Sequence, residues 1–125
     1  MKDSISNLIT VVKNGSRSGK DAVVVPHSKF VESVAAALAR KGYVKPAKAS
    51  SKTIGKTLEI GLIAGRITDA KRVSKPSKRL YKGYSEIHSV KQGYGSTFVS
   101  TPKGILSDDE ARAQKLGGEV LFQIW

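Results

Sequence analysis

The opening third of the chain constrains the fold most. Ile5, Leu8, Ile9 and Val12 recur at i, i+3, i+4 and i+7, the spacing that gathers apolar side chains on one helix face. With Asp3 or Ser4 as cap and Asn14-Gly15 as stop, this spacing predicts a helix over 3–14 whose other face carries Asn7, Thr10 and Lys13. A basic loop, Gly15 to Lys20, leads to the β-branched run Ala22 to Val25, which Pro26 closes as it would a short strand. Ser28 then caps a second helix with inner face Phe30, Val34, Ala37 and Leu38, ended by Lys41 and a left-handed Gly42. Two one-sided helices around a strand require a mixed architecture.

Strands dominate the rest of the chain. Lys45 to Lys56 reads as a loop or a ragged hairpin; Leu58, Ile60 and Leu62 alternate as a half-buried strand, and a further strand is expected over Ile67 to Val73. Ser74 to Arg79 is a basic turn before the short strand Leu80-Tyr81-Lys82, and Ser85 is placed as the cap of a brief helical turn reaching Val90. Gly93-Tyr94-Gly95 reads as a turn, Ser96 to Ser100 as a strand, and Ser107-Asp108-Asp109-Glu110 as a capping box opening a helix that stops at Gly117-Gly118. Glu119 to Trp125 closes the chain as a strand. The expected fold is α+β in two small lobes: an αβαββ lobe over 1–64, and a mainly β lobe with a short helix over 65–125.

Length and composition agree with this. The 125 residues, 39% of them hydrophobic, suffice for one domain or two small lobes with a real core. No segment nears the roughly 18 to 20 apolar residues that span a bilayer, and the N-terminus has no uninterrupted apolar stretch of the kind a signal peptide needs. Asn14-Gly15-Ser16 fits a glycosylation sequon but, without a secretory signal, reads as a turn. The chain has no cysteine, which removes disulfides, thiolate metal sites and cysteine nucleophiles and agrees with a reducing compartment.

Catalytic spacings fail on their context. Ser100-x-x-Lys103 has the S-x-x-K spacing of some serine hydrolases, yet that chemistry needs the serine at a helix start; here it ends a strand, and Pro102 biases Thr101 away from helix. Gly55-Lys56-Thr57 has the tail of a phosphate-binding loop, but Ser50 stands where its first glycine belongs. His27 and His88 have no metal-ligand spacing, and Asp108, Asp109 and Glu110 are explained by a helix N-terminus. Neither a catalytic site, nor a metal, nor a cofactor is expected.

Charge is the strongest functional signal. Lys and Arg number 22 against 10 Asp and Glu, a net +12 that a compact fold tolerates best beside a polyanion. The density peaks at Lys71, Arg72, Lys75, Lys78, Arg79 and Lys82, interleaved with Ser74, Ser77 and Tyr81. The helices lack the Arg, Asn and Gln faces that read a DNA major groove, and none is a basic amphipathic helix suited to a membrane surface. RNA favours short hydroxyl side chains and close backbone approach, which Ser100 and Thr101 offer before Pro102, with Lys103 for a phosphate and Gly104 for space. A polar β-turn explains the same residues equally well.

The order of motifs along the chain breaks that tie. Asp3, Ile5, Leu8, Ile9, Thr10, Lys13 and Asn14 match an N-terminal signature; Val25-Pro26-His27-Ser28-Lys29 opens the second helix, and Arg72 to Pro76 and Arg79 to Tyr81 come after it. Ser100 to Arg112 and Gly117 to Val120 complete a pattern in which the chain resembles the bacterial-type small-subunit ribosomal protein eight family over essentially its full length. The resemblance implies a non-enzymatic, cytoplasmic, ribosome-bound protein that binds the central domain of small-subunit rRNA early in assembly, beside neighbouring ribosomal proteins. In some bacteria such proteins also repress their own operon by binding its mRNA. It implies primary contacts through Ser100, Thr101, Lys103 and Gly104, with Tyr81 and Glu119 nearby, and a second RNA element touched by Thr10, Lys13 and Asn14. Arg72, Ser74, Lys75, Lys78 and Arg79 complete the expected RNA-binding set.

Two positions depart from the family pattern. Pro102 stands where a second serine is usual, and Val11 where arginine is frequent. Fewer polar contacts are therefore expected. A free-standing RNA- or DNA-binding regulator of the same fold is the alternative, and a serine hydrolase using Ser100 and Lys103 a remote third.

Overall fold

The structure is a computed structural model that describes residues 4–51, 56–75, 77–87 and 95–125. Its elements in order are α1 (Ser4–Ser18), β1 (Ala22–Pro26), α2 (Lys29–Arg40), β2 (Lys48–Ser51), β3 (Lys56–Gly61), β4 (Ala70–Arg72), β5 (Tyr81–Lys82), β6 (Ser96–Thr101), β7 (Gly104–Ser107), α3 (Asp108–Gln114) and β8 (Gly118–Ile124), with a 3₁₀ turn at Tyr84–Glu86. This is the α+β class, with αβαββ order in the first part. The chain forms two compact units, one of Ser6–Thr68 and one of Asp69–Trp125 together with the start of α1 up to Ile5; the sequence placed a single division at 64/65.

In the first unit a three-stranded antiparallel sheet runs β1-β3-β2. Val23 pairs with Ile60 and Val25 with Leu58, so all four share one face and are buried, while Val24 between them is 60% exposed. Leu8, Ile9 and Val12 of the α1 stripe are buried in this unit as their spacing requires, and Ile5, which groups with the other unit, is buried too. Ser28 caps α2 by accepting from the Val31 N–H at 3.1 Å, and Gly42 takes φ +80° after its end.

Three expectations in this unit are corrected. Helix α1 does not stop at Asn14-Gly15 but continues to Ser18, with Gly19 at φ +79° beyond it. Gly15 is there to let the sheet approach: a Cβ on it would lie 2.4 Å from Leu62 Cδ1 and 2.9 Å from Val23 Cγ1. Ser16, fully buried, donates to the Ile63 carbonyl at 2.8 Å and accepts from the Ile67 N–H at 3.2 Å, which pins the 63–67 segment to the helix. Finally, Phe30 is 41% exposed; the buried face of α2 is Val31, Val34, Ala35, Ala37 and Leu38. The segment Lys45 to Lys56 contributes β2, which pairs with β3, so the hairpin alternative holds.

The second unit is a sheet in the order β4-β8-β6-β7, with β5 also paired to β8. Phe98 and Phe122 pair across β6 and β8, their rings stacked 5.2 Å apart in the core. One strand is shorter than expected: Ile67 to Val73 yields only β4. Ile67 lies in the first unit, and Val73 hydrogen-bonds the Leu121 carbonyl at 3.0 Å just beyond the strand. The register slips between Phe98 and Val99, leaving Leu121 as the extra residue of a bulge in β8.

Helix α3 covers the sheet through a cluster of Ile87, Val99, Leu106 and Ala111, with Leu116 against it. Its capping box forms as expected: the Glu110 N–H reaches Ser107 Oγ at 3.4 Å and Glu110 Oε1 accepts from the Ser107 N–H at 2.9 Å. Buried Asp108 accepts from the Thr97 N–H at 3.2 Å and pairs with Arg112 at 3.1 Å, and Asp109 accepts from the Ser107 hydroxyl. The helix ends at Gln114, short of the expected glycines, and its C-cap Lys115 itself takes the left-handed φ of 55°. The turn expected after Ser85 is instead capped by Gly83; its later residues 88–90, and Gly93 and Tyr94, lie outside the described residues.

Candidate nucleic-acid interface

Gly117 and Gly118 bring the ends of three strands together. A Cβ on Gly118 would sit 1.9 Å from the Ser100 carbonyl oxygen, and one on Gly117 would sit 2.5 Å from that of Lys82. Only glycine permits β5 and β6 to close on the start of β8 this tightly. Residue 81 then pairs with 119, and 100 with 119. Because paired positions share a face, Tyr81, Glu119 and Ser100 form one row across the sheet, its ends about 10 Å apart at normal strand spacing.

Beyond Ser100, β6 and β7 join through a two-residue loop, Pro102-Lys103, with Thr101 opposite Gly104. Proline holds φ near about −65°, which forbids the primed turns that two-residue hairpins favour. Gly104, at φ +114°, absorbs the resulting mismatch in twist. Thr101 fastens the loop: its hydroxyl donates to the Gly104 carbonyl at 2.8 Å and accepts from the Lys103 N–H at 3.2 Å. The Ser100 hydroxyl makes no hydrogen bond among the described residues and is half-buried at the row's end, while Lys103 stands exposed at the tip. Ser100 and Lys103 belong to a β-hairpin, so the helical turn that S-x-x-K chemistry requires is not formed.

The basic segment leaves and rejoins β8 at a single residue. Val120 accepts from the Ser74 N–H at 3.2 Å and donates to the Leu80 carbonyl at 2.8 Å. Ser74, fully buried, closes the loop's base by donating to the Leu80 carbonyl at 3.2 Å and accepting its N–H at 2.8 Å. It is thus a clamp rather than the surface hydroxyl donor the sequence suggested. Above it, Lys75 and Lys78 exchange two backbone hydrogen bonds of 2.9 Å and both side chains are exposed.

Two arginines in this region also do structural work. Arg72 Nη1 donates to the bulge carbonyl of Leu121 at 2.6 Å, and Arg79 Nη1 donates to both oxygens of Glu119 at 3.2 Å. Tyr81 is 65% exposed beside them.

Thr10, Lys13 and Asn14 lie on α1, in the other unit. Thr10 and Asn14 are exposed and Lys13 half-buried. Because the helix runs on to Ser18, exposed Arg17 continues the stripe at i+7 from Thr10. Sequence reasoning misses Arg17 because it ends the helix at Gly15; the i, i+4, i+7 spacing is the signal that would find it. His27 is occupied by a hydrogen bond between its Nε2 and Glu32 Oε2, and His88 lies outside the described residues. No helix among the described residues is long and apolar enough to cross a membrane.

Fold and surface together define a class: a small, strongly basic α+β protein with a hydroxyl-bearing hairpin, fastened by Thr101, next to a basic loop. The chain belongs to the ribosomal protein S8 family, whose family model matches residues 3–125. It is 41% identical to the small ribosomal subunit protein uS8 of Erythrobacter litoralis over 129 residues, 100% of this chain and 98% of that protein. The uS8 proteins of Neisseria meningitidis serogroup C (44% over 125 residues, 97% and 95% covered) and Nautilia profundicola (39% over 130 residues, 100% and 99%) are similar to it in the same way.

Proposed function

We propose that this chain is a structural component of the small ribosomal subunit that binds the central domain of its rRNA directly and helps that domain assemble. The observation that carries the reading is the 100–104 hairpin: an uncommitted Ser100 hydroxyl, a loop fastened by Thr101, and Lys103 exposed at its tip. Such a surface suits an irregular RNA helix, where small donors reach base edges and 2′-hydroxyls while lysine meets phosphate. Lys75 and Lys78 supply sequence-independent attraction from the adjoining loop, and the Thr10–Asn14–Arg17 stripe serves a second RNA element. Its partners are that rRNA and neighbouring ribosomal proteins, and its chemistry is binding rather than catalysis. Its own operon's mRNA joins them where the message carries a copy of the rRNA site.

The test is footprinting and titration of a central-domain rRNA transcript. Ser100→Ala is expected to weaken binding by roughly 1 kcal/mol or more, the value of one lost hydrogen bond. Wild-type affinity in that variant, or wild-type protein that protects no central-domain nucleotide, refutes the reading.

A further inference from the structure

We infer that Arg79 is a positioning residue acting through Glu119, and that the carboxylate it fixes selects a nucleotide by its hydrogen-bond donors. The inference rests on the RNA-binding reading above. Arg79 lies in the densest basic segment, where a phosphate grip is the default expectation, but its Nη1 spans both Glu119 oxygens at 3.2 Å. The Glu119 side chain is 13% exposed and stands in register between Tyr81 and Ser100.

A carboxylate has lone pairs and no proton to give, and it repels phosphodiesters. Its place in the middle of an RNA-facing row is favourable only opposite donors. On RNA these are exocyclic amino groups, ring N–H groups and ribose hydroxyls, and the first two distinguish one base from another. Arg79 makes such recognition sharper in two ways. It neutralises the carboxylate against the surrounding phosphates, and its Nη1, shared by the two oxygens, holds the carboxylate in place before any nucleotide arrives. Lys75 and Lys78, exposed on the same loop, take the phosphate role.

A double-mutant cycle on a central-domain rRNA transcript tests this, using Arg79→Gln, Glu119→Ala and the double variant, each compared by its melting temperature. Each single variant is expected to lose about tenfold or more in affinity, the usual loss for a hydrogen bond to a charged group. The double variant should bind no worse than Glu119→Ala, and the salt slope of Arg79→Gln should equal that of wild type. Against single-nucleotide variants of the transcript, both single variants should lose discrimination at the same nucleotide.

Losses that multiply in the double variant, a salt slope reduced by about 0.7 to 0.9 as for one lost phosphate contact, or discrimination lost at different nucleotides overturns the inference. If Arg79→Gln does not fold, the cycle is run with Arg79→Met, which keeps an unbranched side chain without donor or charge, and the same outcomes decide. Failure of the wild-type protein to bind the transcript is a different result and refutes the RNA-binding reading itself.

Discussion

Replacing Gly118 with alanine is the sharpest perturbation of the proposed surface. The new Cβ would lie 1.9 Å from the Ser100 carbonyl oxygen and 2.9 Å from its carbonyl carbon, both backbone atoms in a paired strand. Relief requires β6 and β8 to separate by about 1 Å, because real Cβ contacts essentially never fall under 3.0 Å. A separation of that size stretches the ladder hydrogen bonds around Ser100 and Glu119, each worth about 1 kcal/mol, and adds overpacking strain of about 1–3 kcal/mol. The expected loss is about 3 kcal/mol, which for a chain of this length lowers Tm by roughly 10 °C. Thermal unfolding followed by circular dichroism measures it, with Gly83→Ala as the control. Gly83 has φ −74°, and its added Cβ would meet only Glu86 Oε1, at an ordinary 3.6 Å. A Gly118→Ala protein melting within a degree or two of wild type would refute the close-approach argument and, with it, the alignment of Tyr81, Glu119 and Ser100.

Lys115→Gly should stabilise the protein by about 1 kcal/mol in urea titrations, since glycine takes the left-handed φ of 55° without the Cβ clash; unchanged stability would show that the strain is compensated elsewhere. Ser16→Ala should cost about 1–3 kcal/mol by the same assay, because it leaves the buried Ile67 N–H without its acceptor. Lys75→Ala should weaken rRNA binding for all sequences alike and reduce the salt slope by about 0.7 to 0.9, while a sequence-dependent loss would contradict its assignment to phosphate.

Much of the fold is legible in the sequence because periodicity reports burial directly. The stripe Ile5–Val12, the alternation at Val23–Val25 and at Leu58–Ile60, and the Ser107–Glu110 box each have one physical reading. Glycine has several. Gly15 reads as a helix stop, although its role is to admit Leu62 and Val23, and Gly117-Gly118 read as a helix end, although their role is to admit Lys82 and Ser100. The true left-handed position falls on Lys115, which no residue preference would select.

Hydroxyl residues are equally mute in sequence. Ser74, Ser100 and Thr101 look alike as small donors, yet Ser74 closes a loop from inside, Thr101 ties its own turn, and only Ser100 keeps its hydroxyl available among the described residues. What separates them is which backbone groups the tertiary fold brings within reach, and that is not encoded locally. Arg79 and Glu119, forty positions apart, meet only because β8 returns beside the basic loop.

The fastened hairpin tip also governs how heat is exchanged when RNA binds. Pro102 and the Thr101 hydroxyl leave the loop little freedom to surrender, where ordering a mobile loop costs about 0.5–1.5 kcal/mol per immobilised side chain. A serine at position 102 would offer another hydrogen bond, worth a net of about 0.5–1.5 kcal/mol, at the cost of a looser tip. The two nearly cancel in free energy but not in their components. Calorimetry should therefore find that Pro102→Ser binds RNA with similar affinity, a more favourable enthalpy and a larger entropic penalty.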